Sequence, residues 1–348
     1  MKLNKRQSLI LEYINKHNAL SRIKIEEYVA TVDDKSSKNT IIRDLDVLLK
    51  NNYIKKTGSA RSIKYLPAEP NELLIKYDVD NYFKGDFDNR QIKYSKFNFD
   101  VYKNLKNLFS SDEIKKLEEV NKIYLNKTKA LSHTILKKEY ERLLIELSWK
   151  SSQIEGNTYS LLDTETLIKE NIEAKGHKKE EATMILNHKM ALEFIFESKD
   201  YFKTITLKKL EELHTLLING LGVDKGLRKS PVGIVGTNYK PLSNKLQIKE
   251  AVEKLITTIN VTKNIIEKAL ITVIMISYIQ PFEDGNKRTG RVLANAILFA
   301  NGYCPLSYRS VNESEYKKAV IIFYENNSLD YFKEIFTEQF KFAVEKYF

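Results

Sequence analysis

Residues 280–291 read QPFEDGNKRTGR and lie between two apolar stretches of helical spacing. Before them, residues 263–279 (KNIIEKALITVIMISYI) carry Ile265, Leu270, Ile271, Val273, Ile274 and Ile276 around most of the helix circumference, the pattern of a buried helix. After them, Val292, Leu293, Ile297 and Leu298 recur at helical spacing up to Gly302, a C-terminal stop. The stretch is therefore a loop joining two buried helices, with Pro281 and Gly285 shaping it and Asn286 at the start of the second helix, where backbone N–H groups lack partners. Arg288 and Arg291 fall on neighbouring positions of that helix and add fixed positive charge to its N-terminus. This is the outline of an anion site, and Asp284 beside it supplies a carboxylate that can hold Mg2+ against phosphates.

Taken together, Pro281, Phe282, Asp284, Gly285, Asn286, Arg288 and Arg291 resemble the signature of the Fic (Fic/Doc) family, His-Pro-Phe-x-Asp/Glu-Gly-Asn-Gly-Arg-x-x-Arg. The sequence departs from it twice. Gln280 stands where the family has its catalytic His, and Lys287 replaces the second Gly, as in the Asn-Lys-Arg of the Doc branch. The resemblance implies a mainly α Fic-type helical core with a β-hairpin flap, and ATP and Mg2+ as cofactors. Asp284 would hold the metal, and Gly285, Asn286, Lys287, Arg288 and Arg291 the nucleotide. The implied reaction is AMP transfer to a Ser, Thr or Tyr hydroxyl of a protein. Imidazole suits the proton-accepting step because its pKa lies near neutrality, whereas Gln280 does not titrate. The resemblance therefore implies an adenylyltransferase impaired as written. Two alternatives stay open, an ATP-sensing DNA-binding regulator with a degenerate core and a Doc-like protein kinase.

Upstream, TILKKEYERLLIELSWKSSQIEGN reads as a helix through Leu136, Tyr140, Leu143, Leu144, Leu147 and Ile154, ended by Gly156-Asn157. Ser151 and Glu155 share one of its faces. Ser151, Glu155 and Gly156 resemble the inhibitory Ser-x-x-x-Glu-Gly motif of self-restrained Fic proteins, placed before the core. The resemblance implies that Glu155 pairs with Arg291 and fills the space of the γ-phosphate. Between Pro231 and Pro241 the alternating small and β-branched residues read as a hairpin. Val232, Ile234, Gly236 and Thr237 would form the family's flap, which aligns a target by strand addition. Tyr316 and Asn327 are candidates for an adenine pocket by analogy.

Residues 1–66 contain 14 Lys or Arg against 7 Asp or Glu, so a surplus of 7 out of the chain's +11 sits in under a fifth of its 348 residues. That favours an anionic partner, nucleic acid first. Helices are predicted over about Lys5–His17, Arg22–Ala30 and Lys38–Asn51, then two short strands around Gly58-Ser59. The order resembles a winged helix-turn-helix, which implies DNA contacts from Lys38, Asn39, Thr40 and Arg43, with Arg61 on the wing. Residues 67–96 read as an ordered connector, because Tyr77, Tyr82, Phe83 and Phe87 argue against a flexible linker, and residues 97–348 as the Fic-type domain.

The single cysteine, Cys304, forms no internal disulfide, and the five histidines show no metal-ligand spacing. Lys263 and Glu267 interrupt the longest apolar run, and Lys2, Lys5, Arg6 and Glu12 leave no leader pattern, so no membrane partner is expected and a cytoplasmic setting is. The target protein, which the sequence does not name, includes the chain itself among its candidates, and a homodimer is admitted.

Overall fold

The helix from Ile265 to Ile279 is buried along almost its whole length, as expected of a segment with no polar face. It packs chiefly against the helix that follows the 280–291 loop, and this pair is the centre of a mainly helical fold. The computed structural model describes residues 3–17, 19–33, 36–51, 53–59, 62–68 and 71–348. Its helices are α1 (Lys5–His17), α2 (Arg22–Val32), α3 (Lys38–Lys50), α4 (Val79–Tyr82), α5 (Val101–Asn104), α6 (Ser111–Ala130), α7 (His133–Ile154), α8 (Leu161–Glu170), α9 (Lys179–Glu197), α10 (Leu207–Ile218), α11 (Lys245–Val261), α12 (Ile265–Ile279), α13 (Asn286–Ala300), α14 (Glu313–Asn326) and α15 (Asp330–Lys346). Among the described residues no helix is long and apolar enough to cross a membrane.

The chain divides into two compact units, Met1–Asn71 with Asn107–Glu118, and Glu72–Lys106 with Glu119–Phe348. Residues 107–118, which the sequence places in the helical domain, cluster with the first unit. There Leu108 and Phe109 are buried and Ser111 Oγ donates to Lys50 O at 2.7 Å.

In the first unit, Ile10, Ile14, Ile25, Val29, Ile41, Leu45 and Leu48 from α1 to α3 form one apolar cluster. Ile42 and Leu49, on the edge of the α3 stripe, are only half-buried. Helix α3 starts where Ser37 accepts from Thr40 N, a side-chain cap that satisfies one free amide of the first turn. Strands β2 (Ile54–Thr57) and β3 (Lys64–Pro67) pair antiparallel. A third strand, β1 (Leu20–Ser21), completes a sheet of order β1-β3-β2. At two residues β1 is too short for its alternation to be read from sequence.

In the second unit, α12 also contacts α11 and α14, while α13 packs on α7, α9 and α10. One expectation is corrected. The segment Pro231–Pro241 reverses direction at Val235-Gly236, but its arms form no strand ladder. The prolines at both ends lack N–H donors, and the second arm's polar groups are taken by other parts of the chain. Lys240 N donates to Ser95 O at 2.9 Å, and Thr237 Oγ1 to Glu325 at 2.7 Å. An isolated parallel bridge joins Lys240 to Lys96.

Candidate active site

The 280–285 loop is held from several sides. Helix α12 ends at Gln280, whose left-handed backbone (φ 50°) precedes Pro281, a residue that cannot continue the helical hydrogen bonding. Arg228 donates through Nε to Gln280 O at 2.6 Å and through its backbone N–H to Pro281 O at 3.0 Å. Phe282 stacks on His214 with ring centroids 3.7 Å apart. His214 Nε2 lies 3.0 Å from Asp284 O. The Asn286 side chain closes the loop from inside, accepting from Phe282 N at 2.8 Å and donating to Phe282 O at 2.8 Å and Gln280 Oε1 at 3.0 Å.

That internal role leaves Asn286 only its backbone N–H for a ligand. The residue capping α13 is Gly285 rather than Asn286. Its φ is 77°, and an added Cβ would meet Ile218 Cγ2 at 3.2 Å, so a side chain there is strained by the backbone and crowded by Ile218. With no side-chain cap, the first-turn amides of α13 have no partner among the described residues. They border a cavity of about 130 Å3 lined by Glu155, Met184, Gln280 and Asp284–Arg288. This cavity lies beside a larger one of about 450 Å3 that also takes in Val232–Val235, Tyr316, Lys317 and Tyr324.

Lys287 and Arg288 line the small cavity, and Arg291 is joined to it through Glu155, which also lines it. Arg288 is 2% exposed, with Nη2 3.1 Å from Asp284 Oδ2 and Nη1 donating to Leu217 O at 3.4 Å. Arg291, fully buried, reaches Glu155 Oε1 through Nη2 at 2.8 Å, and Lys287 Nζ lies 3.4 Å from Glu155 Oε2. Burial would raise the Glu155 carboxyl, but the charges of Arg291 and then Lys287 outweigh it and hold it down to about 2. Two carboxylates thus face three cations, and one donor of Arg291, Nη1, is buried without a well-formed partner among the described residues. The arrangement favours a further anion.

The placement of Arg291 rests on Ser151 and, behind it, on His188, which no sequence motif selects. Arg291 Nε donates to Ser151 Oγ at 2.9 Å, and Nη2 also to Ser151 O at 2.9 Å. The Ser151 hydroxyl faces His188 Nε2 at 2.9 Å, and His188 Nδ1 lies 2.9 Å from Met184 O. A carbonyl only accepts, so Nδ1 carries the proton and Nε2 accepts from Ser151. Burial, followed by the charge of Arg288, pushes His188 down to about 3, which keeps it neutral as this chain of bonds requires. A lone buried histidine on α9 has no spacing signal linking it to Ser151.

Gln280 has both ends of its amide engaged, with Oε1 accepting from Asn286 and Nε2 donating to Ser277 O at 2.7 Å. Tyr324, buried and also lining the larger cavity, has its phenol pushed well above the ordinary range by burial. It is therefore a donor and no proton acceptor. Of the residues assigned to a flap, Val232 and Ile234 line the cavity, whereas Gly236 and Thr237 are turned to Arg90 and Glu325. Tyr316 lines it too, with Arg291 5.7 Å over its ring, but Asn327 lies away from it, its Oδ1 accepting from Asn98 Nδ2 at 3.1 Å.

Residues 204–298 match the Fic/DOC family. The match spans the 231–241 segment and the 280–291 loop but not Glu155, Ser151 or His188, which are brought in by α7 and α9. Protein adenylyltransferase fic-1 of Caenorhabditis elegans is 29% identical over 170 residues, 47% of this chain and 33% of that protein. Protein adenylyltransferase Fic of Culex quinquefasciatus is 29% identical over 190 residues, 52% of this chain and 37% of its own length. That of Drosophila erecta is 26% identical over 189 residues, with 53% and 38% covered. The chain thus spans well under half the length of these curated relatives. The fold is shared with the solved structure of C. elegans Fic-1 (TM-score 0.56, 19% identity, 68% of this chain and 70% of that one). It is shared as well with a Fic domain containing signaling protein from Bacteroides thetaiotaomicron (TM-score 0.57, 18% identity, 67% and 94%).

In the first unit, Lys38, Asn39 and Arg43 are exposed on α3, and Thr40 is half-buried with its hydroxyl 2.9 Å from Ser37 Oγ. Neither Lys38 nor Arg43 has an ion-pair partner among the described residues, whereas Arg6 is paired with Asp44 and Asp33. Arg61 lies outside the described residues.

Proposed function

We propose that this chain is a Fic-type protein adenylyltransferase, restrained by Glu155 and impaired as written by Gln280. The observation that carries the reading is the pairing of Glu155 with Arg291 and Lys287, a carboxylate placed among cations beside unpartnered helix amides. In the reaction a target hydroxyl oxygen bonds to the α-phosphorus of ATP, the bond from that phosphorus to the bridging oxygen breaks, and pyrophosphate leaves. The first-turn amides of α13 with Arg288, Lys287 and Arg291 hold the β- and γ-phosphates. Asp284 suits Mg2+, because its side chain is 68% exposed and lines both cavities. Among the described residues no group of three or more metal-ligating side chains stands ready, so the cation would rest on Asp284 and the nucleotide's own oxygens. When bound, it neutralises phosphate charge.

The hydroxyl proton has no acceptor at position 280. The Gln280 amide is not basic and is committed to Asn286 and Ser277, which lowers transfer on the order of 10²–10⁴-fold. The arm Val232–Val235 borders the larger cavity and is the edge on which an extended target segment aligns. The N-terminal unit is read as a winged helix-turn-helix docking α3 into the DNA major groove through Lys38, Asn39, Thr40 and Arg43. A second reading, phosphoryl transfer, is favoured by Lys287, which extends a cation into the phosphate site. The test uses the Gln280→His, Glu155→Gly protein with ATP labelled at the α- or the γ-phosphorus. Protein-bound α-label supports AMP transfer; γ-label alone overturns it in favour of a kinase.

A further inference from the structure

The segment between α4 and α5 is held against the turn at Val235-Gly236 by a buried charged network. Arg90, whose side chain is 6% exposed, donates through Nη2 to Glu325 Oε1 at 2.8 Å and to Gly236 O at 2.5 Å. Glu325, at the end of α14 and fully buried, also accepts from Thr237 Oγ1 at 2.7 Å and from the Tyr82 hydroxyl at 2.7 Å. Its backbone carbonyl accepts from Lys93 N at 3.0 Å and Tyr94 N at 2.8 Å, which fixes the segment's course. Thr237 Oγ1 in turn accepts from Tyr239 N at 3.1 Å, and Lys240 N donates to Ser95 O at 2.9 Å.

These bonds are distributed unevenly. Of those that reach the 231–241 segment, every one falls on the second arm or the turn, Gly236–Lys240. The backbone groups of Val232, Gly233, Ile234 and Val235 make no hydrogen bond among the described residues, and Val235 is 98% exposed. Two arms with no ladder between them and glycines at 233 and 236 have little rigidity of their own. The outside brace fixes the turn and the second arm, from which the first arm runs along the larger cavity. Buried charges are costly to place; here the Glu325 carboxylate accepts three hydrogen bonds, while Arg90 donates two from Nη2 and its buried Nε has no partner among the described residues.

We propose that Arg90 is a positioning residue for target recognition: by bridging Glu325 and Gly236 it makes residues 82–96 a fixed brace on one arm and leaves Val232–Val235 as the edge offered to an extended segment of the modified protein. This rests on the protein-modifying reading given above. Arg90 touches neither nucleotide nor target, and acts through the turn.

The experiment is amide hydrogen exchange on the full chain, comparing the parent with Arg90→Ala, Arg90→Lys and Glu325→Gln, alongside Mg-ATP affinity by calorimetry. In Arg90→Ala, exchange at Tyr239 and Lys240, whose amides donate to Thr237 Oγ1 and Ser95 O, should accelerate at least tenfold while ATP affinity stays within twofold. Arg90→Lys, which keeps the charge opposite Glu325, should recover part of the protection. If Arg90→Ala loses cooperative melting, Arg90→Lys and Glu325→Gln decide by the same local exchange. Exchange within twofold of the parent in all variants overturns the proposal. So does acceleration that spreads to α13 with loss of ATP affinity, since that marks general packing. In a Gln280→His, Glu155→Gly background that transfers AMP, Arg90→Ala should raise KM for the acceptor protein at least fivefold with kcat unchanged; an unchanged KM contradicts the recognition role. Absence of transfer in that background sinks the adenylyltransferase reading alone, because exchange reads the brace directly.

Discussion

Replacing Glu155 by Gly removes the carboxylate that faces Arg291 and Lys287, and the size of the effect follows from its proton affinity. The carboxyl is held at about 2 against an ordinary 4.5, so its charged form is stabilised in place by on the order of 3 kcal/mol at about 1.4 kcal/mol per unit. Without nucleotide the Glu155→Gly protein should lose up to about that much stability, because fully buried Arg291 is left uncompensated. With Mg-ATP the sign reverses. A γ-phosphate no longer competes with the carboxylate for the same donors, and affinity should rise by up to on the order of 100-fold, the same free energy converted at tenfold per 1.4 kcal/mol. Glu155→Gln separates charge from bulk, since it removes the charge and keeps the volume. Calorimetric titration measures affinity and enthalpy, and differential scanning measures stability with and without Mg-ATP. Equal affinity and enthalpy for parent, Gly and Gln proteins would refute a blocking role for Glu155.

Three further outcomes are expected. His188 is neutral when folded and titrates near 3, while unfolded it titrates near 6.5, so the unfolded state binds the extra proton between these values. Stability should therefore fall on acidification below 6.5, with a His188 contribution of up to about 1.4 kcal/mol per pH unit. His188→Gln should flatten that slope in denaturant titrations, and an unchanged slope would contradict the neutral-histidine chain to Ser151. Gly285→Ala should destabilise by about 1–2 kcal/mol, from its positive φ and the 3.2 Å approach to Ile218, and a melting temperature equal to the parent's would contradict the loop geometry. Lys38→Ala with Arg43→Ala should weaken duplex DNA binding and reduce its salt dependence by roughly one in slope per lost phosphate contact. Unchanged affinity at low salt would remove the DNA reading and leave a protein-docking module.

The 280–291 loop could be read from sequence because its constraints are local. A helix stop at Gln280-Pro281, a positive-φ Gly285 and a cationic first turn all lie within twelve consecutive residues. Pairing of Glu155 with Arg291 could be anticipated only through motif resemblance, since 135 residues separate them and nothing in the intervening chain marks their approach. His188, Arg228 and Arg90 were beyond reach for the same reason. Each acts through a partner on a distant element, and a buried polar residue leaves no periodic trace. The segment 231–241 misled because alternation of small and β-branched residues reports a two-faced extended chain, whereas a ladder also needs free donors on both arms. Pro231 and Pro241 have no donor, Lys240 N is drawn off to Ser95 O, and Arg90 takes up the acceptor Gly236 O. Strand β1 escaped because two residues carry no alternation.

On the proposed reading, the phosphate-binding groups are in place and two separate defects, a missing proton acceptor and a bound brake, keep transfer slow. Intact-mass measurement after incubation with Mg-ATP tests it most directly across four proteins: the parent, Gln280→His, Glu155→Gly, and the double variant. A base without release of the brake leaves the γ-phosphate displaced, and release without a base leaves the attacking hydroxyl protonated. Each single variant should thus modify target or self slowly, and the double variant should add adenylyl mass at a rate well above the product of the single effects. Adenylylation by the parent at a rate near that of the double variant would contradict the account, because another group in the site would then be accepting the proton.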